Sequence, residues 1–314
     1  MPLPTPVAPV WTRPAWQLAV GLTVTAVLFG FATGLVELVR VWAGRADYSH
    51  GFLVVPFAGY LLWTRRRRFP VVTRWPDPLG LLFFAAAAAL YVAAGVTNMA
   101  KEGAQGLAAI VALAGVVVMY CGRWQGLGWA WPGLGFLLFT LPLPNFIENT
   151  VSLKLRDLAT VAGTFVFQTL GLPAYSEGNR ITIGETVLEV AQACGGLSML
   201  LTFVALSAGL ALLMTTRHWV DRLLVFASAA PIALLCNILR IVVTGLVYHA
   251  GWKKLGDAIV HDLAGWLMMP LALGMTWLVI RLIDWVAEPV DRLDTAAALN
   301  LPAMRPGVPV MRVR

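Results

Sequence analysis

Charge is scarce in this sequence. Asp, Glu, Lys and Arg make up 12% of its 314 residues, against roughly 25% in a soluble domain, so the polar surface of a water-soluble fold is missing. Cysteine is scarcer still: Cys121, Cys194 and Cys236 are too few and too scattered for a disulfide framework or a CxxC metal site. The apolar stretches lack period-two alternation, which excludes an outer-membrane barrel. The opening MPLPTPVAPVWTRPAW is Pro-rich and has no small-residue cleavage site, so the first apolar run reads as a retained helix and not as a signal peptide. No internal repeat or low-complexity domain interrupts the chain.

What is present is hydrophobic: 59% of the residues, with a mean hydropathy of +0.76. The pattern is that of an all-α polytopic membrane protein. Apolar runs of spanning length lie at about residues 15–38, 48–63, 79–97, 104–121, 126–141, 197–216, 223–248 and 260–282, about eight transmembrane helices. A formal net charge of +7 does not argue for nucleic acid here, because Lys and Arg in a membrane chain mark cytoplasmic loops. With the N-terminus inside, Arg13, Arg65 to Arg68, Arg74, Arg123, Arg217, Arg222, Arg281, Arg292, Arg305, Arg312 and Arg314 are cytoplasmic, most of the 23 Lys and Arg. Both termini are therefore expected on the cytoplasmic side of the inner membrane, with no nucleic-acid partner.

One long stretch does not span, about residues 142–196, and this topology places it on the outer, periplasmic side. Its first part, NFIENTVSLKLRDLATVAGTFVFQTLG, has Glu148, Ser152, Lys154, Arg156 and Asp157 in a helix-compatible apolar pattern and is expected to lie at or dip into the interface. Its second part, NRITIGETVLEVAQ, alternates about Gly184–Glu185 and reads as a small β-hairpin just before the sixth spanning helix. A single integral membrane domain covers about residues 1–287, and residues 288–314 read as a disordered cytoplasmic tail.

Ionisable groups inside spanning helices are costly and mark function by default. Arg240 in LLCNILRIVVTG lies about 12 Å from the outer end of its helix; Asn237 and Cys236 share its stripe, which suggests a polar interior, although a single arginine so placed can also snorkel to headgroups. His261 in AIVHDLAGWL opens the last helix on the outer side, as an interfacial residue or a proton carrier. Asp262 beside it suits a helix N-terminal charge better than an imidazole partner, because adjacent helical residues diverge. Cys194, where AQACGG meets the sixth helix, sits at the positive end of a helix dipole, a setting that favours thiolate; the plain alternative is a small buried hydrophobe. Gly195 and Gly196 can admit a substrate backbone and leave N–H groups free for an oxyanion, or simply turn the chain. His50 in DYSHGF is outward as well. The charge-based topology puts Cys194, Arg240 and His261 at one outer level on three successive helices. A thiol nucleophile, a proton carrier and a cation for a developing oxyanion are what acyl transfer from an amide requires.

The segments YSHGFLVVPFAGYLLW, LPLP, EGNRITI, LEVAQACGG, NILRIVVTG and HDLAGW, in that order over about residues 47–275, resemble those of the exosortase and archaeosortase membrane proteins. The resemblance implies a cysteine transpeptidase-like or protease-like site facing outward, carried by Cys194, Arg240 and His261, with Arg240 stabilising either the thiolate or the oxyanion. It implies a membrane-tethered protein substrate whose C-terminal sorting signal has a Pro-Glu-Pro type motif, a hydrophobic helix and a basic end. It further implies a thioester resolved by an amine acceptor or water, without metal or organic cofactor. Many members read ACSG where this chain has Gly195, so a hydroxyl beside the nucleophile is missing. Two readings from other classes compete: a transporter or channel whose Arg240 and His261 line a pathway, which predicts polar residues spread at mid-membrane depth, and a non-catalytic export or assembly factor, which leaves Cys194 dispensable.

Overall fold

The computed structural model describes residues 10–72, 75–97, 101–190, 196–252 and 264–286. The first apolar run forms two helices, α1 (Pro14–Gly30) and α2 (Ala32–Gly44), meeting at a 68° bend and ending beyond the residue 38 expected from hydropathy. Pro14 opens α1, where a missing N–H is harmless. Then come α3 (Gly51–Thr64), α4 (Leu79–Thr97), α5 (Lys101–Tyr120) and α6 (Arg123–Leu137). Glycines let these helices approach closely: a Cβ at Gly80 of α4 would stand 2.8 Å from the Gly115 carbonyl oxygen of α5.

After LPLP the chain turns by 75° into α7 (Asn145–Thr169), the helix expected at the interface. Where sequence alternation suggests a two-stranded hairpin, the fold has three antiparallel strands: β1 (Ala174–Glu177), β2 (Arg180–Ile183) and β3 (Thr186–Glu189), in the order β1-β2-β3. The expected β2–β3 hairpin pairs Ile183 with Thr186 around Gly184. Gly178 and Gly184, at φ +58 and +57, supply the left-handed backbone that two-residue turns demand. Ile181 and Ile183 of β2 are buried with Phe167 of α7 in one apolar cluster.

The rest is helical: α8 (Leu197–Leu213), α9 (Trp219–Ala227), α10 (Ala229–His249) and α11 (Ala264–Val286). The seventh apolar run is thus divided at Ser228, and Pro231 lies in the first turn of α10, a position that tolerates it. Among the described residues, by length and composition, α4, α5 and the 31-residue α9–α10 unit can each cross a membrane, and the number rises to five if each of two bent pairs is one span. The tail from residue 288 lies outside the described residues.

Contacts sort the helix ends into two sets. At one end, rich in arginine, Trp16 Nε1 of α1 donates to the Tyr120 carbonyl of α5 at 2.9 Å, Arg65 donates to the Gly128 carbonyl of α6 at 3.1 Å, and Arg217 after α8 pairs with Asp284 of α11. At the other end, which carries the sheet, Trp42 Nε1 of α2 donates to the Thr140 carbonyl at 2.9 Å, and α7 runs beside α10.

Candidate active site

α8 starts at Gly196, whose φ of +79 lies in the left-handed region. A Cβ there would stand 2.9 Å from Asn237 Nδ2 and 3.0 Å from its Cγ, so glycine answers both a backbone and a space requirement. Asn237 is buried in α10, 1% exposed, and its Oδ1 accepts a 3.0 Å hydrogen bond from the half-buried Arg240 guanidinium one turn later. The i, i+3 spacing puts the two side chains on one face. Asn237 Nδ2 is buried with no hydrogen-bond partner among the described residues, an arrangement that costs about 1–3 kcal/mol unless a partner arrives.

Cys194, Gly195, His261 and Asp262 lie outside the described residues. The described residues on either side of the 191–195 segment both lie against α10. Val190 is buried in the cluster that contains Ile241 and Val242, and Gly196 abuts Asn237. Arg240 sits between those two contact points in sequence.

The other two thiols are accounted for. Cys236 does not share the Arg240 environment, as the helical stripe suggested: it is fully buried among α8, α10 and α11 side chains, with Sγ 3.8 Å from Met275 Sδ. Cys121 is buried after α5 at the arginine-rich end. Both act as small apolar groups.

His50 is drawn to the same end of α8. The turn over residues 46–50 docks on the first turn of α8 through a 3.2 Å bond from Ser198 Oγ to the Ala46 carbonyl. His50 is 7% exposed, and its Nε2 donates to the Phe139 carbonyl at 3.0 Å. It stands in a cavity of about 480 Å³ between α3, α6 and α8, whose lining is otherwise apolar apart from Tyr60 and Thr202.

A polar knot that sequence inspection missed holds this turn. Arg45 and Tyr48 both bind Glu148 of α7, the phenol donating at 3.0 Å, and the Leu143 N–H donates to the Tyr48 oxygen at 3.0 Å. Burial raises the pKa of Asp47, against the pull of Arg45. The signals were YSHGF and LPLP, but which carboxylate joins them depends on the turn into α7.

The family profile described as transmembrane exosortase matches residues 42–278. The matched stretch runs from the end of α2 into α11 and so includes both flanks of the 191–195 segment and the Asn237–Arg240 pair. No curated protein and no solved structure matches the chain.

Proposed function

The chain belongs to the transmembrane exosortase family, and from that premise we propose that it is a membrane-embedded cysteine peptidase or transpeptidase acting on proteins with a C-terminal sorting signal. The observation that carries this reading is the Gly196–Asn237–Arg240 contact, together with Val190 on the next turns of α10. The described residues that flank the Cys194 segment, Val190 and Gly196, both lie against the helix that holds the arginine, which supports this reading.

In this mechanism the Cys194 thiolate attacks the carbonyl of a juxtamembrane peptide bond, and the electron pair passes to the carbonyl oxygen. Arg240 stabilises the charge; Asn237 fixes its guanidinium and offers the Nδ2 hydrogens to a substrate carbonyl. Collapse breaks the C–N bond, His261 gives its proton to the departing amine, and a thioester remains on Cys194. An amine acceptor or water then releases the product. Gly195 and Gly196 leave room for the substrate backbone, Asp262 charges the start of the last helix, and His50 neighbours the site without joining the bond changes. The eight apolar runs are eight crossings of the inner membrane, with both termini cytoplasmic and the sheet end periplasmic.

Processing in the presence of hydroxylamine tests the covalent step. Membranes containing the protein and a tagged sorting-signal substrate should yield a product ending in a hydroxamate, because the thioester is intercepted by the stronger nucleophile. A product formed at the same rate with only a free carboxylate at its new end would overturn the thioester.

A further inference from the structure

At the arginine-rich end a cavity of about 550 Å³ opens between α6, α8 and α9, within the roughly 300–1,000 Å³ of small-molecule sites. Its walls are apolar, with Phe136, Phe139, Leu212 and Phe226 among them, and among the described residues Arg222 is the one charged group on its lining. Arg222 Nε donates to the Ala211 carbonyl at 2.7 Å, which fixes the guanidinium at the cavity and leaves its two terminal nitrogens without a hydrogen bond among the described residues. Arg65 is anchored nearby: its guanidinium donates to the Gly128 carbonyl and its own carbonyl accepts from Trp129 Nε1, each at 3.1 Å.

Three cations crowd here. Burial, and then the charges of Arg68 and Arg222, lower the pKa of Arg65 from its ordinary value. None of the three arginines has a carboxylate within 4.0 Å among the described residues, and the acids at this end serve elsewhere: Asp77 pairs with Arg123, Asp284 pairs with Arg217, and Asp221 acts on Arg217. Basic loops alone mark only a side of the membrane. Uncompensated cations fixed at an apolar cavity, with the exposed indoles of Trp131 and Trp219 on its lining, call for a ligand with an anionic head and an apolar tail.

We propose that this cavity is a binding site for an anionic phospholipid, its phosphate held by Arg222 and Arg65 and an acyl chain laid along the apolar walls. Guanidinium forks match phosphate oxygens in pairs, and basic recesses between membrane helices are suited to anionic headgroups. The Arg222 end of the cavity lies away from Gly196 along the helices, and lipid binding there is independent of the peptidase reading.

Native mass spectrometry of the full-length protein, titrated with phosphatidylglycerol, phosphatidylcholine or inorganic phosphate, tests this. Wild type should bind phosphatidylglycerol at least about tenfold more tightly than phosphatidylcholine. Arg222→Gln removes the head contact. Gly135→Leu fills the cavity from the apolar side, where an added Cβ meets only Trp131 Cε3 at 3.8 Å. Each should remove the preference, whereas Arg67→Gln, in the same basic turn, should keep it. The two variants reach the site from opposite sides, so misfolding of one leaves the other to decide. Equal loss in Arg67→Gln would mean diffuse attraction only. Full displacement of the lipid by inorganic phosphate at matched concentration, or unchanged preference in Gly135→Leu, would equally overturn the lipid site.

Discussion

At Gly196 one residue carries two constraints at once: a φ of +79 and an Asn237 side chain where a Cβ would be. A left-handed non-glycine residue costs about 1–2 kcal/mol, and overpacking adds about 1–3 kcal/mol. Gly196→Ala should therefore lower the thermal unfolding temperature in detergent and slow substrate processing. That Arg240 and Asn237 share a face was legible in the sequence from the i, i+3 spacing, and the fold adds the hydrogen bond between them. The burial of Cys236 against Met275 was not, because α11 lies about 39 positions away in sequence and only packing brings it there.

Among the elements, the turn before α3 shows how local segments are locked together. Tyr48, 1% exposed, links the Leu143 N–H to Glu148 of α7, and Arg45 neutralises that carboxylate. Tyr48→Phe removes both bonds and leaves a backbone donor and a charged acceptor short of a partner. A loss of about 2–3 kcal/mol is expected, read by denaturation or by faster proteolysis between α6 and α7. Helices were legible as apolar runs, since length and hydrophobicity suffice for them. The bend at Phe31 and the break at Ser228 were not, because the hydrophobic content continues through both. β1 was missed for the opposite reason: AYSE is short and mostly polar, and it becomes a strand only because β2 offers it an edge.

For the molecule as a whole, the contacts that gather Arg65, Arg123, Arg217 and Arg222 at one end and the sheet at the other give the charge asymmetry a physical axis. Cysteines introduced at Glu185, in the β2–β3 turn, and at Arg67 should therefore label from opposite sides. A membrane-impermeant maleimide applied to intact spheroplasts should modify Glu185→Cys at once and Arg67→Cys only after permeabilisation; labelling of both from outside would refute the topology. The charge distribution made this axis legible, while the number of crossings was less so: among the described residues three helices are long and apolar enough to cross alone, and two bent pairs can raise that to five. The central claim concerns one atom, the Cys194 thiol. Its most direct test is processing of a tagged sorting-signal substrate in cells carrying wild type, Cys194→Ala, Cys236→Ala or Cys121→Ala at matched membrane levels. The account predicts that Cys194→Ala alone abolishes the substrate's size shift while the two buried thiols are dispensable; normal processing by Cys194→Ala would contradict it.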